Sequence, residues 1–129
     1  MKVCIDSNAY IDLTRGNTTV RDFLSQCDEI IVPAAVIAEL AHGFRKARNP
    51  REQLLALERF LERPGIVFRA ADQAIAMRWG FLADLIRRKG RPIPVNDIWI
   101  AATAFETGSV LLSYDHHFDV IEGLPRLAP

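Results

Sequence analysis

Four short apolar runs, each too uniformly hydrophobic to leave a face in water, alternate along this sequence with longer segments of helical periodicity. The runs are Val3-Cys4-Ile5, Glu29-Ile30-Ile31-Val32-Pro33, Ile66-Val67-Phe68 and Val110-Leu111-Leu112-Ser113. A strand that is apolar on both faces must be covered on both, and the economical solution is a parallel sheet with helices on either side. The intervening segments supply those helices. Ser7 or Asn8 can cap a helix over Ala9 to Arg15 that Gly16-Asn17 closes. Thr18 to Cys27 presents Val20, Phe23 and Leu24 on one face, and Ala34 to Ala47 presents Val36, Ile37, Leu40, Ala41 and Phe44. Asn49-Pro50 opens a further helix with Leu54, Leu57 and Leu61 as its stripe. The longest helix begins near Asp72, carries Ile75, Trp79, Leu82 and Ile86 inward, and ends at Gly90. A last one runs from about Asn96 to Thr107 and stops at Gly108.

With 129 residues, half of them hydrophobic, residues 1–129 are expected to form a single domain with one core. Sixteen basic residues balance sixteen acidic ones, so binding to a polyanion by bulk charge is excluded and any such binding must use local patches. Cys4 and Cys27 lack CxxC spacing and apolar runs stay far below the roughly 18 residues of a membrane span, which predicts a cytoplasmic protein without disulfides or membrane association.

In an open parallel sheet the reactive crevice lies beyond the carboxyl ends of the strands. Four acids fall there: Asp6 after the first strand, Glu39 in the helix after the second, Asp97 in the first turn of its helix, and Asp115 after the last strand. Singly, each has an ordinary explanation as a cap, a first-turn acid, an ion-pair partner or a turn residue. Glu39, flanked by Ile37, Ala38, Leu40 and Ala41, resists that explanation, because an unpaired carboxylate among apolar neighbours is costly. Four converging carboxylates repel one another, and a divalent cation is the simplest remedy. An all-oxygen donor set suits Mg²⁺, with Mn²⁺ able to substitute.

Ile5-Asp6-Ser7-Asn8, Glu39-Leu40-Ala41-His42-Gly43, Asn96-Asp97-Ile98-Trp99-Ile100-Ala101-Ala102-Thr103-Ala104 and Leu111-Leu112-Ser113-Tyr114-Asp115-His116-His117-Phe118 resemble, in order and spacing, the four sequence blocks of the PIN-domain ribonucleases. More narrowly, the chain resembles the VapC-type toxins of toxin–antitoxin pairs. The resemblance implies a three-layer α/β/α sandwich with a short, mostly parallel sheet. It also implies that Asp6, Glu39, Asp97 and Asp115 hold one or two Mg²⁺ ions, with Ser7, Asn8 and Ser113 as supporting hydrogen-bond groups. The implied activity is endonucleolytic hydrolysis of RNA by metal-activated water, leaving 5′ phosphate and 3′ hydroxyl ends. The implied partners are a cognate antitoxin and a second copy of the chain in a homodimer. Trp99 and Tyr114 are bulky for the matching positions and bear on the shape of the substrate cleft.

Two basic clusters, Arg45, Lys46, Arg48 and Arg51, and Arg87, Arg88, Lys89 and Arg91, are each candidates for holding phosphates and equally for solvated helix ends. His116 and His117 raise a metal-free acid–base mechanism as a rival. Adjacent residues do not readily face one phosphate, however, so solvated or core histidines, His42 included, are expected. Phe23, Phe44, Leu54, Leu55, Leu57, Phe60 and Leu61 exceed what the inner faces of the early helices need, which predicts a groove for an amphipathic antitoxin segment. The alternative to an enzyme is a catalytically inactive PIN-like module that binds RNA or protein. Four crowded carboxylates serve no purpose in such a module.

Overall fold

In the computed structural model, which describes residues 1–129, five strands form one sheet in the order β3-β2-β1-β4-β5. They are β1 (Lys2–Ile5), β2 (Glu29–Pro33), β3 (Ile66–Arg69), β4 (Val110–Leu112) and β5 (Arg126–Leu127). Every pairing is parallel, with Val3 opposite both Ile30 and Val110, and Leu111 opposite Arg126. Six helices connect them: α1 (Ser7–Thr14), α2 (Thr18–Ser25), α3 (Ala34–Phe44), α4 (Pro50–Leu61), α5 (Gln73–Lys89) and α6 (Val95–Thr107).

The chain starts in the middle of the sheet, builds outward through β2 to β3, then crosses over α5 and α6 to β4 on the other side. Right-handed crossovers therefore place α1 to α4 on one face and α5 and α6 on the other. α3 packs on β2 and α4 on β3, while α6 lies across β1, β2 and β4. The three-layer sandwich is thus present. Val3, Cys4, Ile5, Leu111 and Leu112 are wholly buried, as two-sided cover requires. The small residues Ala101, Ala102 and Ala104 on α6 are also fully buried, which lets this helix sit close to the central strands.

Several local expectations change. The cap of α1 is Asp6 rather than Ser7 or Asn8: its side chain accepts from the Ala9 amide at 2.8 Å, and the helix begins one residue after β1 ends. α3 stops at Phe44, short of Ala47, so the basic cluster Arg45, Lys46 and Arg48 lies in the loop to α4. β3 does have a wet face, because it is an edge strand and Phe68 is 51% exposed. β5, a two-residue strand without an apolar run, has no counterpart among the predicted elements, and neither does the 3₁₀ turn over His116–Val120. No helix is long and apolar enough to cross a membrane.

Candidate active site

The parallel sheet aims the carboxyl ends of β1, β2 and β4 at one edge, and the residues there are acidic. Asp6 follows β1 directly and is 5% exposed. Its dual position as strand end and helix cap leaves one oxygen tied to the Ala9 amide. Burial pushes its carboxyl above the usual range, and the charges of Asp115 and Asp97 add to the rise. The Ser113 hydroxyl and the Ala9 amide pull it part of the way back. Ser113 itself is fully buried, and its Oγ also accepts from the Asp115 amide at 3.0 Å. One hydroxyl thereby sits between the acids that follow β1 and β4.

Glu39 lies in the second turn of α3, half-buried, where it accepts from the Ser7 hydroxyl at 3.2 Å. Burial raises its carboxyl, opposed by the Ser7 bond and reinforced by the charges of Asp97 and Asp6. Asp97, in the first turn of α6, is also raised by burial and by Asp115, with His117 acting in the opposite direction. Asp115 caps the 3₁₀ turn by accepting from the His117 amide at 2.9 Å. The Asp115 carbonyl accepts from Arg126 Nη1 at 2.8 Å, so β5 braces the loop that carries this acid. The four predicted acids therefore face one another across the sheet edge through their charges.

Their spacing is uneven. Asp97 and Asp115 form a tight group with a residue expected to be solvated or core, His117, whose Nδ1 lies 2.9 Å from Asp97 Oδ2 and 3.2 Å from Asp115 Oδ1. Ligand-type atoms of these three side chains fall within 4.8 Å of one another. His116 points away, pairs with Asp119 at 3.1 Å and is 91% exposed. His42 is likewise exposed. The donor chemistry of the edge suits a hard divalent ion: carboxylates dominate, no Lys or Arg neutralises Asp6, Glu39, Asp97 or Asp115, and three of the four are already strained toward protonation.

Beside Glu39 opens a cavity of about 640 Å³ between α1, α3 and α4, walled by Ser7, Asn8, Tyr10, Leu40 and Phe44 among others. A second one of about 260 Å³ shares Phe44 and continues to Arg45, Arg51 and Leu54. The groove thus exists where the early helices meet, with a changed membership. Phe44, Leu57 and Phe60 are buried, Phe23 and Leu61 are partly so, and Leu54 and Leu55 are left 42% and 44% exposed. The two basic clusters also part company. Arg87 and Arg88 are paired with Asp84, and Lys89 bonds the Val120 carbonyl and Glu122. Arg45, Lys46, Arg48 and Arg51 are exposed and make no ion pair.

A parallel sandwich carrying an acidic cluster at the strand ends is the architecture that the sequence blocks implied, and the chain belongs to the PIN domain family, whose model matches residues 3–124. Among its relatives, Ribonuclease VapC1 of Haemophilus influenzae (strain R2866) is 27% identical over 115 residues, covering 86% of this chain and 84% of the relative. The structure of VapBC-1 from nontypeable Haemophilus influenzae superposes with a TM-score of 0.85 at 26% identity, over 98% of this chain and 97% of that one. VapBC2 from Rickettsia felis, bound to a promoter DNA fragment, shares the fold with a TM-score of 0.84 at 21% identity over 98% of both chains.

Proposed function

We propose that this chain is a metal-dependent endoribonuclease and the toxin of a toxin–antitoxin pair, with Asp6, Glu39, Asp97 and Asp115 holding the cation. The observation that carries the reading is the convergence of four carboxylates, unneutralised by any Lys or Arg, at the carboxyl edge of a parallel sheet. Membership of the PIN family and the likeness to proteins named Ribonuclease VapC support the RNA substrate. Such crowding is a standing cost to the fold, and a non-catalytic module has no use for it.

When bound, Mg²⁺, or Mn²⁺ in its place, supplies positive charge for the scissile phosphate and makes hydroxide available near neutral pH. The protein's part is positioning. The Ala9 amide holds the rotamer of Asp6, Ser7 orients Glu39, and Ser113 holds the backbone amide of Asp115. Asn8 lines the cavity beside Glu39, where its amide can meet the substrate backbone. Of the free basic cluster, Arg45 and Arg51 line the continuation of that cavity, with Lys46 and Arg48 nearby in sequence, and they supply phosphate contacts flanking the cut. Because water is the nucleophile, the 2′ hydroxyl takes no chemical part, and the ends produced are 5′ phosphate and 3′ hydroxyl.

The same groove, apolar along Leu40, Phe44 and Leu54 and acidic at Glu39, fits an amphipathic antitoxin segment that sends a basic side chain toward the carboxylates. The likeness to VapBC complexes supports this partner. Self-association fits a different surface, the exposed stripe of Met77, Phe81 and Leu85 along α5.

The test is cleavage of RNA by the purified chain. Activity is expected to vanish in EDTA, return with Mg²⁺ or Mn²⁺, and fall by at least about 100-fold in Asp97→Asn without loss of folding. Expression alone should arrest growth, and co-expression of a small antitoxin encoded beside it should relieve the arrest. Cleavage that persists in EDTA and leaves 2′,3′-cyclic phosphate ends would transfer the chemistry to the histidines.

A further inference from the structure

Two carboxylates and one imidazole meet at a single point. His117 Nδ1 is 2.9 Å from Asp97 Oδ2 and 3.2 Å from Asp115 Oδ1. One nitrogen and two carboxylate oxygens, with no Lys or Arg among them, thus converge where a cation fits. The spacing agrees with coordination: adjacent ligands of an octahedral ion, each about 2.1 Å from the metal, lie about 3.0 Å apart. The two separations bracket this edge length, and all three ligand atoms stay within 4.8 Å of one another.

The position of His117 is built rather than incidental. Its own amide donates to Asp115 Oδ1 at 2.9 Å, so the imidazole and that carboxylate are held in register by one 3₁₀ turn. Its neighbour His116 is turned outward onto Asp119 and has no share in the group. Among the basic side chains, Asp97 and Asp115 have His117 alone as an ion-pair partner.

We infer that His117 is a direct nitrogen ligand of the divalent cation, alongside Asp97 and Asp115, and that the site consequently selects Mn²⁺ over Mg²⁺. This rests on the metal-dependent reading proposed above. Mg²⁺ keeps oxygen ligands and water, whereas first-row divalent ions accept imidazole nitrogen readily. Coordination would use the Nδ1 lone pair, with the ring proton on Nε2, and no electron changes hands.

The experiment adds Mn²⁺ to the metal-free, full-length chain and reads nitrogen coupling by electron spin echo modulation, with affinities from titration and Mg²⁺ competition. Wild type is expected to show ¹⁴N modulation from a bound imidazole. His117→Ala should lose it and bind Mn²⁺ about tenfold more weakly, with a smaller loss for Mg²⁺. His117→Asp, which restores an oxygen ligand, should shift the preference back toward Mg²⁺. The side chain is 49% exposed, so both variants are expected to fold, which melting curves check. Stoichiometric Mn²⁺ binding without nitrogen modulation, or modulation that survives in His117→Ala, would overturn the assignment of His117 while leaving the metal site standing. Folded wild-type protein that binds no Mn²⁺ would overturn both.

Discussion

Replacing Asp6 by Asn separates the two duties of this residue, because Asn caps a helix about as well as Asp but brings no charge. The Asp6 carboxyl is 5% exposed and raised by burial first, then by Asp115 and Asp97. Two like charges about 4 Å apart repel by about 4 kcal/mol at the effective dielectric of a protein and less when more widely spaced, so relief of about 2 kcal/mol is expected in the metal-free state. For a chain of this size that is a rise in melting temperature of about 6 to 10 °C. Asp6→Ala removes the same charge and also the bond to the Ala9 amide, so it should fall below Asp6→Asn by about 1 kcal/mol, the worth of a cap.

The pH dependence has a definite sign. The folded pKa lies above the unfolded value of about 3.9, so wild type carries no penalty below that pH and the full penalty above the folded pKa. The advantage of Asp6→Asn over wild type should therefore grow as pH rises from about 4 and then level off. Saturating metal should reverse the order, since ligand at 100 times its Kd stabilises wild type by about 2.7 kcal/mol. Differential scanning calorimetry in EDTA and in Mn²⁺, from pH 4 to 8, reads all of this. A wild type at least as stable as Asp6→Asn in EDTA at pH 7.5, with no widening of the gap as pH rises, would refute the claim that the site is electrostatically strained.

Two further outcomes are expected. Arg126→Ala removes the donor to the Asp115 carbonyl and the pair with Asp119, so it should cost about 1 to 2 kcal/mol in urea unfolding and weaken Mn²⁺ binding about tenfold; unchanged affinity would show that β5 does not brace the site. Gly65→Ala forces a side chain onto a backbone with φ of +84° and places its Cβ 3.2 Å from the Asp28 carbonyl, at the turn whose own carbonyl accepts from Ile30. A loss of more than about 1 kcal/mol is expected, and an unaltered urea midpoint would contradict the strain argument.

The parallel sheet and the four acids were legible because both follow from one rule: uniformly apolar strands demand a covered sheet, and such a sheet presents its strand ends at one edge. His117 was not legible. Neighbouring residues on a turn point in different directions, and nothing in His116-His117 says which of the pair turns inward. β5 escaped notice because Arg126-Leu127 offers neither length nor an apolar run, yet its arginine steadies Asp115. The occupied basic cluster could have been recognised, since Asp84 stands three and four residues before Arg87 and Arg88, the helical ion-pair spacing. The membership of the groove needed tertiary packing, because Phe44, Leu57 and Phe60 found the core while Leu54 and Leu55 did not.

The acids that converge at the sheet edge are contributed by the junction of β1 and α1, by α3, by α6 and by the turn after β4, so the site draws on nearly the whole sequence from residue 6 to residue 115. No fragment that folds early during synthesis holds a complete set, and β1, which the first acid follows, stays unpaired on one side until β4 arrives. A complete site therefore waits until folding has brought α6 and β4 into place. On the function proposed above, the folding reaction is itself a safety catch: a growing chain holds no complete site, and whatever restrains the nuclease has to guard the finished molecule.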